Sequence, residues 1–316
     1  MNRKSPMIRF TLKDFQARFP DDASCLEWLR QRLYPEGIFC KTCGQVTKHH
    51  RVVSRPSYSC DVCGHHVHPT ADTIFHKSST PLTTWFYAIY LMSSTRCGIS
   101  AKQIQRETGV TYKTAWRMFK QIRSMLMDDN GALGGLGSKG VEMDETYMGG
   151  KRKGRTGRPG PHDSKKIAVV GMVERKGRVK ALVAGDVKSG TLLTMVREHI
   201  LPSTTVFTDE FNAYDGIHAM SRGYEHKRIK HTEKIYVVGD IHTNSIEGFW
   251  SLIKRGIGGV YHAVSKKYLQ TYLDEYSFRY NRRFDTQPMF ISFLNQVRKA
   301  LPAESLCEDQ TQSLAQ

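Results

Sequence analysis

VEMDETYM, residues 141–148, decides how the rest of the chain is read. The stretch has the apolar alternation of a strand at Val141 and Met143, yet it carries the adjacent carboxylates Asp144 and Glu145. A carboxylate taken out of water is costly unless it is paired or bound to a metal, so a metal site is the leading expectation. Alternation along a strand turns Asp144 inward and Glu145 away from it or behind it. Two further strands follow at 166–175 (KIAVVGMVER) and 178–187 (RVKALVAGDV), joined by a Lys176-Gly177 hairpin turn. A helix is expected near 190–199, then a fourth strand in STTVFTDEFNAY ending at Asp209. YEHKRIKHTEK offers a fifth strand, and TNSIEGFWSLIKRGI reads as a helix. Strands mixed with helices predict an α/β domain.

Asp144 and Asp209 are 65 positions apart, and Glu247 follows 38 positions later on the expected helix. Adjacent parallel strands bring two such aspartates together, and a helix packed across the sheet aims a third carboxylate at them. Hard oxygen ligands of this kind suit Mg2+ or Mn2+ and are poor for structural zinc. Two such ions about 4 Å apart activate a water or 3'-hydroxyl and stabilise the leaving oxygen of a phosphodiester. Lys254, two helical turns after Glu247, falls on the same face to hold DNA, with Arg255 beside it. Asn244 competes with Glu247 as third ligand; His242 and Asp240 are weaker candidates for water positioning and support.

Upstream, Cys40-x2-Cys43 and Cys60-x2-Cys63 are separated by 16 residues and each pair is followed by glycine, Gly44 and Gly64. Four thiolates at this spacing close tetrahedrally on one Zn2+ ion and organise a segment too small to fold by apolar burial. Lys48, Arg51, Arg55 and Tyr58 are expected to give this ribbon a basic, partly aromatic surface. A helix at 100–107, a turn at Gly109 and a helix from about 111 to 127 match helix-turn-helix geometry, with Lys113, Thr114 and Arg117 as groove-facing candidates. DDNGALGGLGSKG reads as a glycine linker. The Gly- and Arg/Lys-rich loop after Met148 offers Lys151, Arg152, Lys153 and Arg155 to a phosphate backbone. The formal charge of +17, from 47 Lys plus Arg against 30 Asp plus Glu, suits a polyanionic partner. No apolar run of eighteen residues and no signal-like start are present, so neither membrane insertion nor secretion is expected.

VEMDETYMGG, VFTDEFNAY and HTNSIEGFWSLIKRGIGGVYHAVSKKYLQTYLDEYSFRYNRR, in this order behind CKTCG and CDVCG, resemble the bacterial insertion-sequence transposases of the DDE superfamily. The resemblance is to the group with an N-terminal zinc ribbon and an ISXO2-like catalytic domain. It implies a ribonuclease-H-like mixed sheet with flanking helices. It also implies metal-dependent strand cleavage and transfer by Asp144, Asp209, Glu247 and Lys254. The expected partners are double-stranded DNA, as element ends and target, and further copies of the chain; the expected setting is the bacterial cytoplasm, on the nucleoid. The expected organisation is an N-terminal helical segment (1–36), zinc ribbon (37–78), helix-turn-helix-like domain (79–130), linker (131–140), catalytic domain (141–300) and disordered tail (301–316). A nuclease without strand transfer, or a zinc-ribbon regulator with an inactive core, are the rival readings.

Overall fold

The computed structural model describes residues 9–127, 131–149, 166–229 and 244–298. The chain forms two compact units, one of Met1–Arg96, Ala101–Met125 and Thr286–Gln316, the other of Cys97–Ser100 and Leu126–Asp285.

In the first unit, α1 (Leu12–Arg18) and α2 (Asp22–Leu33) each begin with a reciprocal capping box, Thr11 with Asp14 and Asp21 with Ser24. Asp22, one residue past the α2 cap, accepts instead from the backbone and hydroxyl of Thr83 at the start of α3 (Leu82–Ser94). The ribbon consists of the hairpin β1 (Ile38–Cys40) with β2 (Gln45–Thr47), and an antiparallel sheet of β3 (His49–Val52), β4 (Ser57–Cys60) and β5 (His66–Val67). Tyr58 is not part of the ribbon surface. It is 3% exposed and its hydroxyl donates to Glu27 on α2, because all four residues of β4 are buried.

Two helices follow, α4 (Ala101–Thr108) and α5 (Tyr112–Ser124), with Gly109 at φ +72° in the turn between them and Thr111 capping α5. The unit closes with α9 (Met289–Leu294), a segment expected in the catalytic domain. Its Phe290 packs edge-on to Phe15 and Phe19 and against Tyr90 on α3. This aromatic burial draws residues 286–298 back to the N-terminal helices.

The second unit is a five-stranded mixed sheet in the order β10-β9-β6-β7-β8. Its strands are β6 (Val141–Met148), β7 (Ile167–Glu174), β8 (Val179–Val183), β9 (Thr205–Thr208) and β10 (Glu225–Arg228). The pairs β6–β7 and β7–β8 are antiparallel, whereas β6–β9 and β9–β10 are parallel. On one face, Val141, Met143, Val170 and Met172 pack with Leu192 and Val196 of α6 (Ser189–His199) and with Tyr214. On the other, Val169, Val173 and Val179 pack with Ile246, Phe249 and Ile253 of α7 (Asn244–Gly256) and with Leu269, Leu273 and Tyr276 of α8 (Lys266–Asn281). Residues 131–140 are built into this unit rather than strung outside it: Leu133 is 1% exposed and bridges Ile200, and Gly135 N–H donates to Thr204.

Two side chains of α8 complete the outer edge of β8. Gln270 accepts from Val183 N–H and donates to Ala181 C=O, while Asn281 accepts from Val179 N–H and donates to Val179 C=O. These amides satisfy backbone groups that an edge strand otherwise leaves to solvent.

Candidate active site

The parallel register Val141↔Val206 and Glu142↔Phe207 has an offset of 65, the spacing of Asp144 and Asp209. Pairing stops after Glu142, and Asp209 follows the end of β9 in the gap. One oxygen from each of Asp144, Glu145 and Asp209 lies within 4.8 Å of the others. Glu145 therefore joins the cluster instead of facing away from it. Its side chain does leave β6 on the α6 face, where Tyr214 O–H donates to it, but the unpaired gap beside β6 admits its longer side chain to the same spot.

The cleft above these acids, of 670 Å³, is also lined by Glu247, Trp250, Ser251, Lys254 and Arg255. Glu247 is an exposed residue in the first turn of α7; it shares the cleft without entering the three-acid cluster. Asn244, also exposed, opens α7 and does not line the cleft. Trp250, one turn after Glu247, packs in the core on the α7 face of the sheet and its indole N–H donates to Asp144 Oδ2 at 2.8 Å. Gly171 stands opposite Asp144 on β7, and a Cβ there would come within 2.6 Å of the Trp250 ring and of Ile246. The glycine is what lets the indole reach the aspartate.

Burial pushes the Asp144 carboxyl up to about 6 and that of Glu145 up to about 7, with the neighbouring acids adding to the effect. The Trp250 and Tyr214 hydrogen bonds, and the Lys254 charge at Asp144, oppose it. Three carboxylates this close, all offering oxygen, fit a hard divalent cation such as Mg2+ or Mn2+.

Sequence reasoning missed Glu142. It is fully buried on the α7 face of β6, lies 3.0 Å from Arg175 Nε, and accepts from the backbone N–H groups of Ser245 and Ile246 at 2.9 and 3.0 Å. A buried carboxylate at the first turn of a helix satisfies donors that have no intrahelical partner and favours the positive end of the helix dipole. Glu142 thus pins α7, and with it Glu247, Trp250 and Lys254, to the strand that bears Asp144. Trp250 and Tyr214 were likewise missed as polar partners.

A second group able to hold a metal ion lies in the cysteine-bearing segment. The four sulfurs of Cys40, Cys43, Cys60 and Cys63 lie within 4.8 Å of one another, with Cys40–Cys63 at 3.5 Å and Cys43–Cys60 at 3.9 Å. A zinc tetrahedron with bonds of about 2.3 Å has sulfurs about 3.8 Å apart, so the cluster fits that ion. No histidine joins it among the described residues; His50 bonds Asp61 and His66 faces Ser57.

Of the residues expected to meet DNA, Lys113 and Arg117 are exposed on α5 and Thr114 is half-buried, while Ala115, Met118 and Phe119 form its core side. Arg117 also donates to the His76 carbonyl. Arg255 is exposed at the cleft. Lys151, Arg152, Lys153, Arg155, Asp240, His242 and the 301–316 tail lie outside the described residues.

The ISXO2-like transposase domain matches residues 133–281. Over 281 residues the chain is 28% identical to an uncharacterized protein in transposable element ISH50 of Halobacterium salinarum, an alignment spanning 83% of this chain and 91% of that one. Over 106 residues it is 31% identical to an uncharacterized transposase-like protein of Haemophilus influenzae, spanning 34% of this chain and 83% of that one. The chain belongs to the ISXO2-like insertion-sequence transposases. Every cleft residue of the transposase, from Asp144 to Arg255, lies inside the matched span, and membership implies DNA as its partner. No helix among the described residues is long and apolar enough to cross a membrane.

Proposed function

We propose that the transposase binds the ends of its insertion sequence and cuts and joins DNA strands by divalent-metal-dependent phosphodiester chemistry. The observation that carries this reading is the shared 65-residue offset of the β6–β9 register, which aligns Asp144 with Asp209 beneath the α7 residues Glu247 and Lys254. The strand order, with two antiparallel and two parallel pairings, supports the reading of a ribonuclease-H-like catalytic domain; the four-cysteine cluster supports a zinc ribbon ahead of it, and α4 and α5 are read as a DNA-binding helix-turn-helix.

Asp144, Asp209 and Glu247 would hold Mg2+ or Mn2+, two ions in the full site, which supply activation of the attacking oxygen and charge at the leaving one. Lys254 and Arg255, exposed at the rim, hold the scissile phosphate by charge. Lys113, Thr114 and Arg117 on α5 read the element end, and Lys151, Arg152, Lys153 and Arg155 grip the backbone. One Zn2+ on the four cysteines holds the ribbon together. Since two ends must be processed at once, the working form is a homo-oligomer on DNA, acting at the bacterial nucleoid.

The test incubates the protein and Mg2+ with a supercoiled plasmid carrying the element ends. Joined products support the proposal; cleavage without joining marks a nuclease, and shifted but uncut DNA marks a regulator. Glu247→Gln is expected to abolish cleavage and Asn244→Ala to retain it, and the reverse result moves the third ligand to Asn244.

A further inference from the structure

Each acid in the cluster has one oxygen engaged by a neutral donor. Trp250 N–H holds Asp144 Oδ2 at 2.8 Å, Tyr214 O–H holds Glu145 Oε2 at 2.6 Å, and the Phe211 backbone N–H holds Asp209 Oδ1 at 3.0 Å. A neutral donor orients a carboxylate without cancelling its charge, whereas an arginine in the same place neutralises it. Both aromatic donors are locked in place. Tyr214 is fully buried and Trp250 is 4% exposed, one in each of the two cores that flank the sheet.

Their positions in the chain couple the parts of the site. Tyr214 lies five residues after Asp209, in the 3-10 turn Asn212–Ile217, and reaches across to the residue next to Asp144. Trp250 lies one turn from Glu247 and reaches Asp144 itself. The two bonds approach β6 from opposite faces. They therefore hold adjacent strand residues, whose side chains ordinarily diverge, with one oxygen of each directed at the same point as Asp209.

We infer that Glu145 is a cation ligand beside Asp144 and Asp209, and that Trp250 and Tyr214 are positioning residues which leave Asp144 and Glu145 one ligating oxygen apiece. This rests on the metal-dependent reading of the site. Residues behind metal ligands commonly contribute about 10- to 100-fold in metal affinity.

The experiment measures Mn2+ binding to the full-length, zinc-loaded protein without DNA, by the electron paramagnetic resonance signal of free Mn2+. Melting of the same zinc-loaded protein without added Mn2+ is recorded alongside. Glu145→Gln, Tyr214→Phe and Trp250→Phe are each expected to weaken Mn2+ binding by about ten-fold or more at a temperature where all are folded. A merely structural role for the aromatic residues would lower the melting temperature without Mn2+ and leave the dissociation constant of the folded protein within about two-fold, which overturns the inference. Binding lost in Asp144→Asn but kept in Glu145→Gln likewise removes Glu145 from the ligands while the metal reading stands. A wild-type protein that takes up no Mn2+ overturns the metal reading itself.

Discussion

Replacing Glu142 by alanine tests whether α7 is held to the sheet by a single buried carboxylate. The side chain accepts charge-assisted bonds from Arg175 and from backbone N–H groups in the first turn of α7, and is wholly removed from solvent. Its loss leaves the Arg175 guanidinium, 8% exposed, inside the fold without that carboxylate; breaking one side of a buried ion pair costs about 3–5 kcal/mol. Withdrawing the acceptor from the two helix N–H groups adds about 1 kcal/mol in the manner of a lost cap. The expected destabilisation is thus about 4–6 kcal/mol, the two parts being close enough not to add strictly.

Glu142→Gln keeps an acceptor for the helix and should cost about 1–3 kcal/mol, the usual worth of a hydrogen bond to a charged group. The double variant Glu142→Leu with Arg175→Met should recover most of the loss, since it removes both charges and keeps an apolar chain near Phe207, whose ring Arg175 now covers at 3.6 Å. Urea unfolding, with hydrogen exchange at the α7 amides to localise the effect, measures all three. A cost below about 1 kcal/mol for Glu142→Ala, or a double variant no more stable than the single one, would refute the reasoning.

Protons and metal should compete at the acidic cluster. Asp144 and Glu145 carry carboxyls raised to about 6 and about 7, so the stability from their protonation is present at low pH and lost as pH rises through those values. The zinc-loaded protein without added Mg2+ should lose stability over that range, and the gain from adding Mg2+ should grow from about pH 5.5 to about pH 8; a gain independent of pH contradicts the assigned site. Metal analysis should find one zinc per chain, with Cys40→Ser, Cys43→Ser, Cys60→Ser and Cys63→Ser each losing it; zinc retained by any of them removes that cysteine from the set. Gly171→Ala should cost about 1–3 kcal/mol by overpacking and should quench or shift Trp250 emission, because a methyl group there meets the indole; an unchanged spectrum and stability would show that the ring has room to move.

Much of the second unit is visible in local pattern. Alternation over 141–148 and the Lys176-Gly177 turn mark the antiparallel strands, and TDEFNAY marks a strand end whose Asp209 the parallel register brings to Asp144. The cysteine spacing likewise contains its own geometry. Less legible were features made by partners distant in sequence. Glu142 and Arg175 are 33 positions apart, and a charged residue in an alternating strand reads as solvent-facing until its partner is known. Tyr58 read as surface because SYSC has the polarity of an exposed strand, whereas α2 and the ribbon cover it. Gly171 was the available clue to Trp250, since a glycine inside a buried strand marks a close approach from above. The return of α9 to the N-terminal helices depends on Phe290 finding an aromatic cluster formed some 200 residues earlier, a match that no periodicity within 289–294 contains.

The amides of Gln270 and Asn281 on the rim of β8 bear on how copies of the transposase assemble. Val179 N–H and C=O, Ala181 C=O and Val183 N–H are already bonded to α8, so the row of main-chain groups that a strand from another copy would need is interrupted. The amides of α8 thus occupy positions at which a further strand would pair along β8. In the homo-oligomer proposed above, strand addition at the β8 rim would first have to displace Gln270 and Asn281, so contacts through side-chain surfaces come at a lower cost.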